Sequence, residues 1–172
     1  SLQRFESVFS IFQTRGDVSG MLLAASGAIY AIDFTWTGFD RIDKWHSIIE
    51  ALWDKNVASL SPDVQSTVII AMMRSLFWRQ PHRRILQSWL KRAEAFIQHY
   101  DRVSELTIIV HHILCCSRSF GSIQEAVQAI APVCKQLDQL ALSLPTQVAW
   151  EISQSGISWV TGEFREAKIH FQ

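Results

Sequence analysis

Residues that break helices recur along this chain at a nearly constant interval. Gly38, Pro81, Gly121 and Gly162 are separated by 43, 40 and 41 residues. Pro62 and Pro145, each placed to start a helix, lie 83 apart, twice that interval. Between the breaks the apolar spacing is helical nearly everywhere. Phe5, Phe9 and Phe12, for example, fall at i, i+4 and i+7, the stripe of an amphipathic helix. A helix pair repeating at this period is the signature of an α-solenoid, because one pair cannot bury its own apolar face and stacked neighbours can. The expected fold is therefore all-α: a right-handed α-solenoid of antiparallel helix pairs, with a period of about 41 residues, forming a single helical-repeat domain over 1–172.

Composition excludes the main alternatives. The chain of 172 residues holds 7 Gly and 4 Pro, too few for a β-sandwich or barrel, which needs a turn every 8–12 residues or so. Hydrophobic residues make up 48% and charged residues 19%, which excludes intrinsic disorder. Sixteen basic residues balance sixteen acidic ones, so the chain lacks the electrostatic footprint of a dedicated nucleic-acid binder. Three cysteines, two of them adjacent, do not make a disulfide framework, and a reducing, cytoplasmic setting is expected. No basic segment followed by an apolar run opens the chain, so no signal peptide is expected. The longest membrane candidate, 103–116, carries Glu105, His111 and His112 and falls short of a span, so no membrane partner is expected.

The breaks also give the elements. Gly16 and Asp17 end the first helix and cap the second, over 17–35, whose Gly20, Ala24, Ala25, Gly27 and Ala28 predict close packing. Further helices are expected over 40–55, 61–80, 82–100 and 102–117. Ser61 and Pro62 mark a helix start, and Pro81 a stop. Ser122 and Glu125 read as a capping box opening the next helix, which Pro132 should kink or divide. Another helix starts at Leu144-Pro145 and ends at Gly162, and a last one begins at Glu163.

Two joints share more than period. Gly121, Ile123, Ala126 and Ile130 match Gly162, Phe164, Ala167 and Phe171 in spacing and type. This resembles the middle of the tetratricopeptide repeat, in which Gly makes the turn and Ala lets two helices approach. Residues 9–52 carry a more particular resemblance, in Arg15-Gly16-Asp17, in Trp36-x-x-Phe39-Asp40 and in Asp43-x-Trp45-x-x-x-Ile49. They look like the helical region of large bacterial signalling ATPases, many of them transcription activators similar to the maltose-regulon activator. The resemblance implies a fragment of a longer protein, serving as an effector-sensing and self-association platform. No P-loop pattern is present, so no catalytic assignment is carried over.

The remaining constellations have plain explanations. His111, His112, Cys115 and Cys116 offer two i, i+4 pairs that point apart on the helix, and packing is the preferred reading over a metal site. Arg79, His82, Arg83, Arg84, Lys91 and Arg92 form one basic cluster, best read as a solvated helix face. Arg15-Gly16-Asp17 reads as helix end, turn and cap rather than as an adhesion signal. Most of the seven tryptophans belong to the core; those near joints can instead line a groove. The acids Asp33, Asp40, Asp43, Glu50 and Asp54 form no catalytic pattern, and no cofactor or metal is expected.

The candidate binding surface is thus Trp36, Phe39, Trp78, Arg79, His82, Arg83 and Arg84. The expected function is a non-catalytic module that binds a protein, peptide or effector, or a second copy of itself, within a bacterial regulator. The alternative is a helical small-molecule sensor, which a large apolar pocket with a few convergent polar groups would favour. An enzyme on a helical scaffold is the third and weakest reading.

Overall fold

Gly16, Trp36, Gly121 and Gly162 each end a helix in the left-handed region. The computed structural model describes residues 2–79, 84–140 and 142–162. These residues form eight α-helices and no strand. They belong to two compact units, Ser1–Arg79 and Gln80–Gln172.

The first unit contains α1 (Leu2–Arg15), α2 (Val18–Thr35), α3 (Ile42–Asn56) and α4 (Pro62–Arg79), with single 3-10 turns at Phe39–Arg41 and Val57–Ser59. Gly16, at φ +66°, closes α1. Its N–H donates to the Gln13 carbonyl and the next N–H, of Asp17, to that of Phe12, a Schellman turn. Asp17 then caps α2 by accepting from the Gly20 N–H at 2.9 Å. So Arg15-Gly16-Asp17 is helix end, turn and cap, as its composition suggested. Ser61 caps α4 in the same way, accepting from the Val64 N–H at 3.4 Å.

Helix α2 is the hub, packed by α1, α3 and α4. Two of its glycines explain how closely α1 approaches. A Cβ on Gly20 would lie 2.3 Å from the Phe12 ring, and one on Gly27 would lie 2.2 Å from the Phe5 ring. The phenylalanine stripe of α1 therefore sits in notches that only glycine leaves. Phe9, between them, meets Trp45 of α3 edge to face at 5.5 Å. The core below holds Leu22, Ile29, Ile32, Trp45, Ile49, Met72 and Leu76, all nearly inaccessible.

Side-chain contacts show the helix directions. Glu6 accepts from Arg41 and Phe9 meets Trp45, so α1 and α3 run the same way. Asp33 pairs with Arg74 and Trp36 meets Trp78, so α2 and α4 also run the same way. His46 bonds Ser75 while Asp43 reaches Arg79, which makes α3 and α4 antiparallel.

The second unit contains α5 (Arg84–Ile97), α6 (Val103–Phe120), α7 (Ile123–Leu137) and α8 (Leu144–Thr161). Its hub is α6, packed by α5, α7 and α8, and α5 also touches α7. Gly121, at φ +68°, closes α6 in a second Schellman turn. The Gln98 amide donates to the Ala129 carbonyl at 3.0 Å, tying α7 to the end of α5. Asp138 accepts from the Trp150 indole at 2.9 Å and from Gln154 at 3.1 Å, tying α7 to α8.

Several expectations are corrected. The Ser122 side chain makes no cap bond to α7, because its φ of −100° and ψ of 27° do not present the hydroxyl to the first turn; it reaches back to the Ser117 carbonyl instead. The capping box is not formed. Pro132 does not divide α7, which is continuous from Ile123 to Leu137. The helix expected over 82–100 is shorter, Arg84–Ile97, with residues 82 and 83 outside the described part. Among the described residues one helix is long and apolar enough to cross a membrane: α2, with mean hydropathy 1.4 over Val18–Thr35. In this fold it is the packed hub of its unit. The helix expected from Glu163, and with it Phe164, Ala167 and Phe171, lies outside the described residues.

Candidate functional site

The last turn of α2 places three of the expected site residues together. Trp36 follows α2 in the left-handed region, at φ 52° and ψ 29°, the one non-glycine residue at positive φ among those described. A bulky side chain there is strained, by about 1–2 kcal/mol relative to ordinary backbone. Its N–H returns to the Asp33 carbonyl and closes the helix. Gly38, at φ 76°, then turns the chain into the 3-10 segment that carries Phe39. The indole of Trp36 lies 6.1 Å from the Phe39 ring and 6.0 Å from Trp78 of α4. Trp78 in turn lies edge to face with Phe77 at 5.1 Å. Trp36 is 67% exposed and Trp78 56%, and Phe34, at 84%, stands on the same last turn of α2.

A charged layer lies one turn beneath these rings. Asp33 is almost wholly buried near the C-terminus of α2, where a carboxylate is disfavoured by both burial and the helix dipole. Arg74 of α4 compensates, its guanidinium 2.5 Å from the carboxylate. Burial pushes the nearby Tyr30 hydroxyl up to about 12, with Arg74 opposing the shift and Asp33 adding to it. Asp33 and Trp36 are thus tied to Arg74 and Trp78 on successive turns of the same two helices. Beneath the ring cluster, a half-exposed arginine thus pairs with a buried carboxylate.

Arg79 follows Trp78 but is engaged with Asp43 at 3.5 Å, both groups being exposed. Arg84 does not join this cluster. It belongs to the second unit, where it lines a groove of about 550 Å³ with Gln87, Lys91, Glu94 and Glu125. Burial and the neighbouring Glu125 raise the Glu94 carboxyl. Arg92 lies over the Trp89 ring at 4.6 Å. The basic cluster read from sequence is therefore dispersed among acids and an aromatic face. His82 and Arg83 fall outside the described residues.

A second cavity, of about 350 Å³, lies between α6 and α8. Leu114, Ile123, Ile152 and Trp159 give it apolar walls, and His111, Cys115 and Arg118 line its edge. The Cys115 thiol lies 3.6 Å from His111 Nε2. Burial raises the thiol, partly offset by Arg118, and lowers His111. Burial likewise pushes Cys116 and Cys134 up to about 12. All three thiols are therefore protonated at neutral pH and poor nucleophiles. Among the described residues, no three His, Cys, Asp or Glu side chains converge on one metal position.

Sequence reasoning missed Gly156, which also lines this cavity from the middle of α8. A Cβ there would meet nothing within 4 Å. Glycine inside a helix costs about 1 kcal/mol relative to alanine, and here no packing requires it. That unexplained mid-helix glycine was the available signal.

No protein-family model matches the chain, and comparisons with curated proteins and with solved structures return no match.

Proposed function

We propose that the chain is a non-catalytic interaction module whose binding surface is the aromatic cluster of Trp36, Phe39, Phe77 and Trp78. One observation carries this reading. Three elements converge to hold large aromatic side chains in water, and one of them, Trp36, is kept in a conformation that costs free energy. Strain of this kind collects at functional positions. Tryptophans in such clusters are the usual anchors of protein–protein recognition. An extended peptide or helix with apolar side chains is the partner chemistry that fits.

The solenoid belongs to this proposal. It is supported inside each unit by the packing of α2 on α4, α5 on α7 and α6 on α8, and by α1 with α3 and α2 with α4 running the same way. The resemblance of residues 9–52 to the helical region of bacterial signalling ATPases supports reading the module as part of a cytoplasmic regulator. The protonated thiols and scattered acids support a role without catalysis.

The test is selection of peptides from a random displayed library on the full chain, followed by calorimetric titration of Trp36→Gly and Trp78→Ala. Each substitution should weaken the selected peptides by about 2 kcal/mol or more. Trp36→Gly should melt at or above the wild-type temperature, because glycine relieves the left-handed strain. Peptides that bind both variants as tightly as the wild type would place the binding surface elsewhere.

A further inference from the structure

The cavity between α6 and α8 is a different feature from the aromatic cluster and calls for a different ligand. Three observations about it converge. Its walls are apolar and partly aromatic, and its volume of about 350 Å³ is in the range of small-molecule sites. Gly156 lines it, and a Cβ at that position would meet no atom of a neighbouring side chain or element within 4 Å. One cation, Arg118, lines its edge, and its guanidinium makes no ion pair with another described residue.

We propose that this cavity binds a small carboxylic acid with a flat apolar body, the body lying between Ile152, Leu114 and Trp159 along Gly156 and the carboxylate pairing with Arg118. A planar guanidinium matches a carboxylate in two parallel hydrogen bonds. His111 is held toward its neutral form by burial, so it adds a hydrogen-bonding edge and no second positive charge. A single cation without a cluster of backbone N–H groups suits a monoanion rather than a phosphate. Cys115 stays a protonated thiol and contributes packing and a weak donor.

The experiment titrates the full chain with 2-naphthoate and with its neutral counterpart, 2-naphthalenemethanol. The acid should bind about tenfold tighter than the alcohol at neutral pH. Arg118→Gln changes an exposed side chain; it should leave the melting temperature unaltered and erase that preference. Gly156→Leu should abolish binding of both compounds while keeping or raising the melting temperature. Should Gly156→Leu unfold the chain, Gly156→Ala still reads out the site, through a weaker affinity for both compounds. The 2-naphthoate should also slow alkylation of Cys115 by iodoacetamide in the wild type. The proposal is overturned if 2-naphthoate fails to bind, if it binds Gly156→Leu unchanged, or if the acid and alcohol bind alike.

Discussion

At the scale of the residue, burial decides what the polar side chains can do. His46 is 4% exposed, and its Nε2 lies 2.7 Å from the Ser75 hydroxyl. That hydroxyl donates onward to the Ala71 carbonyl at 2.8 Å, so its oxygen accepts and His46 carries its proton on Nε2. Burial lowers this histidine from 6.5 to about 4. Between those values the unfolded chain takes up a proton that the folded chain refuses, so stability rises with pH across the window. Acidification through it removes up to about 3 kcal/mol. His46→Gln keeps a donor for Ser75 and cannot titrate. Urea unfolding at pH 7 and pH 5 should show a smaller loss on acidification in the variant than in the wild type; equal losses would assign the effect to other groups. Nothing in the sequence singles out His46, because a hydrogen bond to a residue on the next helix has no local pattern. Trp36, Phe39 and Trp78 were legible as surface candidates because they flank helix breaks. Their joining into one cluster was not, since it depends on α2 and α4 running side by side.

At the scale of the element, helix ends were largely readable and helix pairings were not. Gly16, Gly38, Gly121 and Gly162 all adopt positive φ at or beside the boundaries expected of them. Ser122 failed as a cap because side-chain capping depends on a backbone angle that composition does not fix. The seating of Phe5 and Phe12 on Gly27 and Gly20 needs both the partner helix and its register. It has a direct consequence for substitution. Gly27→Ala gains up to about 1 kcal/mol of helix propensity and meets a ring 2.2 Å from the new atom. Overpacking costs about 1–3 kcal/mol, so the net effect should be destabilising. Gly156→Ala makes the same chemical change with no neighbour in reach and should be stabilising by up to about 1 kcal/mol. Thermal melts of the two variants should move in opposite directions. Movement in the same direction would mean that propensity, and not the notch, governs α2.

At the scale of the whole molecule, the residues fall into two self-contained groups of four helices. The first has its own core around Leu22, Ile29, Trp45 and Met72, with α2 touching every other helix in it. Residues 1–79 expressed alone should therefore keep their helical circular dichroism and melt cooperatively. A fragment without a cooperative transition would show that the unit depends on the rest of the chain. The interval of 83 residues between Pro62 and Pro145 is legible in the sequence; that it spans four helices packed about one of them is not, because helix pairing has no local pattern.

The hub position gives that longer interval a meaning. In each unit the second helix touches the other three, α2 in one and α6 in the other. Corresponding helices, α1 with α5 through α4 with α8, begin 82, 85, 81 and 82 residues apart. The two groups of described helices therefore share their order, their spacing and the position of the hub. They differ at the hub itself: α2 is notched by glycines that seat the phenylalanines of α1, whereas α6 borders a hollow beside α8.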